Sequence, residues 1–148
     1  MKTRIICIGN RLIPRDSDGM AVYDRLRETP LTEAIEVVEG GLAGLNLLPL
    51  LEQGGRVVFV DRVSGFGKPG SLVVLDDETI VRTLQDDHYS HEAGLPYLLK
   101  VLPAVAEGNL PEEIVLVGLE GPCDSRLHDE AAALSLSIAR HGCRDACP

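Results

Sequence analysis

Side chains that could bind a metal ion follow separate predicted elements of this chain. Asp16 and Asp18 lie in a short polar segment between an apolar run and a helical pattern. Asp61 lies near the end of another apolar run, and His91 begins a later helical pattern. Two carboxylates and one imidazole suit a first-row divalent metal and leave coordination positions open. On sequence alone, His88 is as good an imidazole as His91.

Each of these residues also has a purely structural interpretation. Asp16 can be a solvated loop residue, Asp61 can end a strand at a turn, and His91 can be an exposed residue in the first turn of a helix. Asp18 is predicted as the N-cap of the helix that begins near Met20. The residue types alone leave both interpretations open.

The signatures of several other sites are absent from the sequence. Residues 39–44 are the nearest match to the dinucleotide fingerprint G-x-G-x-x-G, but Glu39 replaces the first glycine and would repel a pyrophosphate. No P-loop, G-x-S-x-G elbow or H-E-x-x-H motif is present. The pair Gly40-Gly41 fits a tight strand-to-helix turn, and it also fits close approach of a peptide or ligand to the backbone.

Strand and helix patterns alternate along the chain. Apolar runs predict strands over residues 3–9, 34–39, 56–63, 71–76 and 113–119. Helical spacing predicts helices over residues 20–26, 42–53, 77–84, 91–106 and 129–140. This alternation predicts an α/β protein with an open, mostly parallel, twisted sheet of about five strands and helices on both faces. The turn-like segment 64–70 predicts one antiparallel edge strand.

In a sheet of this kind, the ligand site lies at the carboxyl ends of the parallel strands. Acidic residues end or follow most of the predicted parallel strands: Asp16, Asp18, Glu39, Asp61 and Glu120. We therefore expect acidic groups to collect along one edge of the sheet.

Length and composition bound the class of protein. The chain has 148 residues, 45% of them hydrophobic, which predicts one domain over residues 1–148 with a flexible tail of about eight residues. The net charge of −9 and the aromatic content of 3% argue against nucleic-acid binding and against an anionic membrane surface. No apolar run approaches the roughly 18 residues of a membrane span, and no signal-peptide pattern is present. We therefore expect a cytoplasmic protein.

Residues 9–19 read Gly-Asn-Arg-Leu-Ile-Pro-Arg-Asp-Ser-Asp-Gly and lie between a predicted strand and a predicted helix. This segment, which holds Asp16, resembles the opening of a known family, the hydrogenase maturation proteases. That family has an apolar strand, then Gly-Asn-x-Leu, then an acidic pair and a glycine before a helix, and residues 9–19 fit this spacing without a gap. The second family acid, a metal ligand, falls on Asp16. The first falls on Arg15 and the glycine after the pair falls on Ser17, which are departures, whereas the next family glycine is kept as Gly19.

Two blocks in the middle of the chain carry the same resemblance. Residues 39–48 are similar to the family's acidic-Gly-Gly-Thr-x-Gly segment, with Leu42 in place of the usual threonine. Residues 57–61 are similar to the strand that ends in the family's second metal ligand, which falls on Asp61.

Two later blocks complete the resemblance. Residues 90–95 resemble the family's Ser/Pro-His-x-x-Gly-Leu segment and place its histidine ligand on His91 rather than His88. Residues 115–120 resemble the strand that leads into the family's Gly-x-x-Pro-like segment. Together the blocks extend over nearly the whole chain.

The resemblance implies a nickel-dependent endopeptidase. Such an enzyme removes a C-terminal peptide from the precursor of the [NiFe]-hydrogenase large subunit after nickel has been inserted. The resemblance further implies that Asp16, Asp61 and His91 are the catalytic and metal-binding residues. They would bind nickel that the precursor presents, and zinc or cadmium would be able to occupy them in the isolated protein.

The resemblance also implies that Gly40, Gly41 and Leu42 contact the C-terminal peptide of the substrate. Either Asp16 or Asp61 is expected to act as the general base. Two other interpretations stay open. One is a non-proteolytic nickel-sensing assembly factor for the same large subunit, and the other is a self-sufficient metallohydrolase.

Overall fold

Five strands with apolar sequences pair into one sheet in the computed structural model, which describes residues 2–86 and 94–143. The strands are β1 (Thr3–Ile8), β2 (Ile35–Gly41), β3 (Arg56–Val63), β4 (Leu72–Asp76) and β5 (Glu113–Glu120). The helices are α1 (Asp18–Arg27), α2 (Leu48–Leu51), α3 (Asp77–Asp86), α4 (Gly94–Val105) and α5 (Ser125–His141). The predicted alternation of strands and helices is confirmed.

The sheet is mostly parallel, as the sequence predicts. Its strand order is β2-β1-β3-β5-β4. The first four of these strands are parallel, and β4 pairs antiparallel with β5 at the edge, which confirms the predicted antiparallel edge strand. The chain moves outward from β1 to β2 and then returns to place β3 on the other side of β1. This reversal is the topological switch point at which open α/β sheets bind ligands.

The sheet separates two apolar cores, one on each face. α1 and α5 cover the face that includes Ile5, Val58 and Val117. α2, α3 and α4 cover the other face, which includes Ile6 and Phe59. Because successive strand residues point to opposite faces, each central strand supplies side chains to both cores. None of the helices in the described residues combines the length and apolar character needed to cross a membrane.

The predicted helix over residues 42–53 is wrong in its extent. Strand β2 continues through Gly41, a 3-10 turn covers Leu45–Leu47, and the helix α2 is only Leu48–Leu51. Pro49 accounts for the late start of the helix, because proline lacks a backbone N–H and is tolerated best in the first turn.

The last helix begins earlier than the prediction of residues 129–140. It starts at Ser125, because the side chain of Asp124 caps it by accepting a hydrogen bond from the N–H of Leu127 at 2.9 Å. The start of the predicted helix over residues 91–106 and most of the predicted tail lie outside the described residues.

Helix α1 begins in direct contact with the end of β1. A Cβ added at Gly19 would overlap the carbonyl oxygen of Ile8, so only glycine permits this approach. The contact keeps the connection between β1 and α1 short and holds it at the carboxyl edge of the sheet.

We expect Gly19→Ala to destabilise the protein by about 1–3 kcal/mol, because the added methyl group must displace α1 from Ile8. Helix propensity alone would change stability in the opposite direction by about 1 kcal/mol. The measurement is the midpoint of urea-induced unfolding. Ala133→Gly, at an exposed position of α5, measures how much an exchange of alanine and glycine changes stability through helix propensity alone. A Gly19→Ala protein as stable as the parent would contradict the contact.

Candidate active site

The connection between β1 and α1 folds back on itself and carries Asp16 to the edge of the sheet. The N–H of Asn10 donates to the carbonyl of Asp16 at 2.7 Å, and the N–H of Asp16 donates to the carbonyl of Ile13 at 2.8 Å. A 3-10 turn over Pro14–Asp16 precedes α1. Gly9 permits the bend, because its φ is +153° and a Cβ there would lie 2.5 Å from the carbonyl oxygen of Asp16.

Asp61 lies within β3, the strand beside β1. It is only 8% exposed and pairs in register with Gly118 of β5. Strand alternation places it on the same face as Phe59, the face covered by α2, α3 and α4. Its Oδ1 accepts a hydrogen bond from the N–H of Arg62 at 2.8 Å. Because β1 and β3 are neighbours, Asp61 and the loop of Asp16 both lie at the switch point.

The pKa of Asp61 is raised well above the usual range of an aspartate. Burial is the main cause, because the ionised carboxylate loses its hydration. The hydrogen bond from the Arg62 N–H opposes the shift, and the negative charge of Asp16 adds to it. The two carboxylates are therefore close enough to repel each other. A divalent cation between them would cancel this repulsion and favour the ionised form, so the pair fits a divalent metal.

The structure brings together the two carboxylates that the sequence predicts as metal ligands, Asp16 and Asp61. The predicted third ligand, His91, and its alternative, His88, lie outside the described residues. Across residues 2–86 and 94–143, no group of three His, Cys, Asp or Glu side chains is placed to hold a metal ion.

Helix α4 begins at the same edge of the sheet. A Cβ added at Gly94 would overlap the carbonyl oxygen of Ala43, which lies in the loop that follows β2. Gly94, the first described residue after Asp86, therefore lies beside the loop at the carboxyl end of β2.

The predicted substrate-binding residues lie at the carboxyl end of β2. Gly40 is buried, and a Cβ there would lie 2.7 Å from the side chain of Ile6, so packing on β1 already requires a glycine. Gly41 has a φ of +62°, and its carbonyl accepts a hydrogen bond from the N–H of Gly9 at 3.0 Å. A Cβ on Gly41 would meet nothing within 4 Å, and Leu42 is 67% exposed. Gly41 has the positive φ that the structural explanation of the glycine pair predicted, but no helix follows directly, because α2 begins only at Leu48. The space beside Gly41 is open.

Two other acidic residues of the predicted edge make structural contacts. Glu39 lies 3.5 Å from the Nε of Arg11. Glu120 is buried and accepts hydrogen bonds from the N–H groups of Gly65 at 2.7 Å and Phe66 at 3.2 Å. Its carboxylate therefore orders the turn that follows β3.

Asp18 is a buried ion-pairing residue, and its prediction as the N-cap of α1 is wrong. Ser17 occupies the N-cap position, and its side chain makes no capping hydrogen bond. The Oδ1 of Asp18 lies 2.7 Å from the Nε2 of His128, and its Oδ2 lies 3.7 Å from the Nη1 of Arg62. The carboxylate turns inward because α5 and β3 offer it these nitrogen partners, which a solvated cap would lack.

The sequence analysis did not identify Arg62 and His128 as part of this region. His128 is 110 positions away from Asp18 along the chain, so no local pattern links the two residues. The one sequence signal for Arg62 is its position directly after the candidate ligand Asp61.

Comparison with known proteins defines the family. The family model of the hydrogenase maturation proteases (HycI) matches residues 20–130, a span that includes Asp61 and begins just after the loop of Asp16. The chain belongs to the hydrogenase maturation protease family. The predicted family and the predicted enzyme class are confirmed.

Relatives in bacteria and archaea share this assignment. The hydrogenase 2 maturation protease of Escherichia coli K12 is 26% identical over 121 residues, which cover 80% of this chain and 73% of that protein. A putative hydrogenase maturation protease of Methanocaldococcus jannaschii is 25% identical over 92% of this chain and 86% of that protein. The chain spans only 63% of the length of a third relative, the hydrogenase expression/formation protein HupD of Rhodobacter capsulatus.

A solved structure shows the same fold. The hydrogenase maturating endopeptidase HybD of E. coli superposes with a TM-score of 0.80 at 23% identity, over 95% of this chain and 93% of that chain. The predicted α/β architecture is therefore shared with HybD.

Replacing Asp61 with asparagine should make the metal-free protein more stable at about pH 8. Folding raises the pKa of this carboxyl above its unfolded value, so the protonated form favours the folded state. This contribution to the free energy of unfolding is complete below the unfolded pKa and is lost as the pH rises through the folded pKa. Asparagine keeps an acceptor for the Arg62 N–H and carries no charge. Urea unfolding in EDTA should give the variant a higher midpoint at about pH 8 and a smaller advantage at about pH 4. An advantage that does not change with pH would contradict this origin.

Proposed function

We propose that this protein removes a C-terminal peptide from the nickel-loaded precursor of a [NiFe]-hydrogenase large subunit. The observation that carries the proposal is the placement of Asp16 beside the buried carboxyl of Asp61 in a hydrogenase maturation protease. These two groups supply metal-binding oxygens at the switch point, where a sheet of this kind binds its ligand.

We propose Asp16, Asp61 and His91 as the ligands of the nickel that the precursor presents. Gly94 packs at this edge, and the three Cα-to-Cα steps from Gly94 back to His91 span at most about 11 Å, so the connectivity of the chain allows His91 to join the carboxylates. Three protein ligands leave coordination positions open for groups of the precursor, which suits a site that must respond to nickel held by its substrate. Zinc or cadmium would occupy the same ligands in the isolated protein.

The nickel would polarise the scissile carbonyl or lower the pKa of a water molecule. The residues of the chain orient the reacting groups and accept a proton. Asp61 is fixed by strand pairing and by the Arg62 N–H on one of its oxygens, whereas Asp16 is half-buried at the end of a hydrogen-bonded loop. Either carboxylate can accept the proton of an attacking water as the general base.

The C-terminal peptide of the substrate would lie across the end of β2. Open space lies beside Gly41, and Leu42 projects into solvent. Leu12 and Leu45, in the loops that follow β1 and β2, are also exposed, at 89% and 59%. A peptide that binds across this edge would cover these exposed apolar side chains. Gly40 is buried by packing and would contribute only its backbone.

Intact-mass spectrometry of the large-subunit precursor encoded in the same organism tests this proposal. The precursor is incubated with the purified protein in its nickel-loaded and nickel-free forms. We expect loss of a short C-terminal peptide from the loaded form alone. A stable complex with the loaded precursor but no cleavage would favour the non-proteolytic assembly factor, and cleavage of both forms would favour the self-sufficient metallohydrolase.

Asp16→Asn should lower kcat/KM for the loaded precursor by about 100-fold or more, because it removes a charged metal ligand. The midpoint of urea unfolding should not fall, since the substitution also removes a repulsion with Asp61. Asp77→Asn is the matched control, because Asp77 is an exposed aspartate that follows β4 at the opposite edge of the sheet. It should process the precursor at the parental rate. Parental processing by Asp16→Asn would refute the ligand assignment.

A further inference from the structure

Arg62 makes hydrogen bonds to the side chain of the candidate ligand Asp61 and to the backbone of the loop that carries Asp16. Its backbone N–H donates to the Oδ1 of Asp61 at 2.8 Å. Its Nη1 donates to the carbonyl of Arg15, also at 2.8 Å. That carbonyl belongs to the peptide group that ends at the nitrogen of Asp16. Because a peptide group is planar, this bond fixes the plane from which Asp16 extends.

Two backbone hydrogen bonds of Asp16 lie within its own loop. The N–H of Asp16 donates to the carbonyl of Ile13, and the carbonyl of Asp16 accepts from the N–H of Asn10. These bonds set the shape of the loop, but they do not set its position relative to β3. The bond between Arg62 and Arg15 joins the loop to the strand that carries the second carboxylate.

The guanidinium group of Arg62 is itself held from two sides. Its Nη1 lies 3.7 Å from the Oδ2 of Asp18, whose Oδ1 lies 2.7 Å from the Nε2 of His128 on α5. On the other side, the group lies against the backbone of Gly121, where an added Cβ would overlap it. A planar guanidinium with several donors can contact a carbonyl and a carboxylate together, which the single ammonium of lysine does less well.

We propose that Arg62 is a positioning residue that sets the separation between Asp16 and Asp61. Its side chain holds the Arg15 carbonyl and its backbone N–H holds the Asp61 carboxylate, and it does not contact the substrate. The inference rests on the proposed function, because it explains how the two carboxylates are kept ready for one metal ion.

Hydrogen exchange of the metal-free protein, followed by NMR, tests the contact directly. Arg62→Ala should speed the exchange of the Asn10 and Asp16 amides by about tenfold or more, because the loop loses its bond to β3, whereas the amides of β1 should stay protected. Gly121→Ala keeps the arginine but displaces its guanidinium group, so it should act in the same direction.

Cadmium titration of the same samples tests the consequence, through the amide signals of Asp16 and Asp61. Arg62→Ala should weaken Cd²⁺ binding by about tenfold or more, and Arg62→Lys should recover part of the loss. Arg56→Ala is the matched control, because Arg56 lies on the same strand and donates to the carbonyl of Ala139 at 2.9 Å. It should lower the unfolding midpoint and still bind Cd²⁺ like the parent.

Processing kinetics supply the second readout. In Arg62→Ala, kcat for the loaded precursor should fall by about tenfold while KM stays within about twofold, as expected when an arrangement needed in the transition state is lost. Unchanged hydrogen exchange in Arg62→Ala would overturn the contact. Faster exchange with parental Cd²⁺ affinity and parental kcat would overturn the positioning role.

The parent protein separates failure of this inference from failure of the proposed function. A parent that binds Cd²⁺ but does not process the precursor refutes the proposed function, and the Cd²⁺ affinities then decide the role of Arg62. A parent that neither binds Cd²⁺ nor processes the precursor refutes both.

Discussion

The direct parallel pairing of β1 with β3 is the constraint on which the candidate site depends. This pairing places the end of β1 beside Asp61. The chain that leaves β1 must turn at the same level, and the contact of Gly19 with Ile8 keeps the turn short, so Asp16 lies next to β3. A strand inserted between β1 and β3 would separate the carboxylates by about a further 4.8 Å. The strand order therefore determines whether one metal ion can reach both groups.

The burial of Asp61 supplies a carboxylate to the candidate site at a cost to the stability of the fold. The neighbouring positions Val60 and Val63 are apolar and buried, and stability alone would favour the same at position 61. The carboxyl group instead loses hydration and faces the charge of Asp16. Such conflicts are expected where a residue is retained for activity, and here a bound cation would remove most of the cost.

Patterns that depend on neighbouring residues were predictable from the sequence, and contacts between distant residues were not. Strand β3 was predicted with both of its bounds, because its apolar run is long and is followed by turn residues. The helix around Pro49 was overestimated, since helical spacing does not show where a proline fits within a turn. The shared edge of Asp16 and Asp61 was predictable because the carboxyl ends of parallel strands meet there. Their role as metal ligands stays a prediction that the family resemblance implies. The partners of Asp18 lie on distant elements, so local spacing carried no sign of them.

The alternation of side chains along β3 has a consequence for how this enzyme can evolve. Asp61 faces the core under α2, α3 and α4, whereas Arg62 faces α1 and α5. Substitutions on the first side alter the surroundings of the carboxylate itself, and those on the second side reach the site through the arginine. Changes at distant, separately packed positions combine almost independently. Substitutions that adapt the site can therefore accumulate on one side of the sheet while the other side keeps its packing.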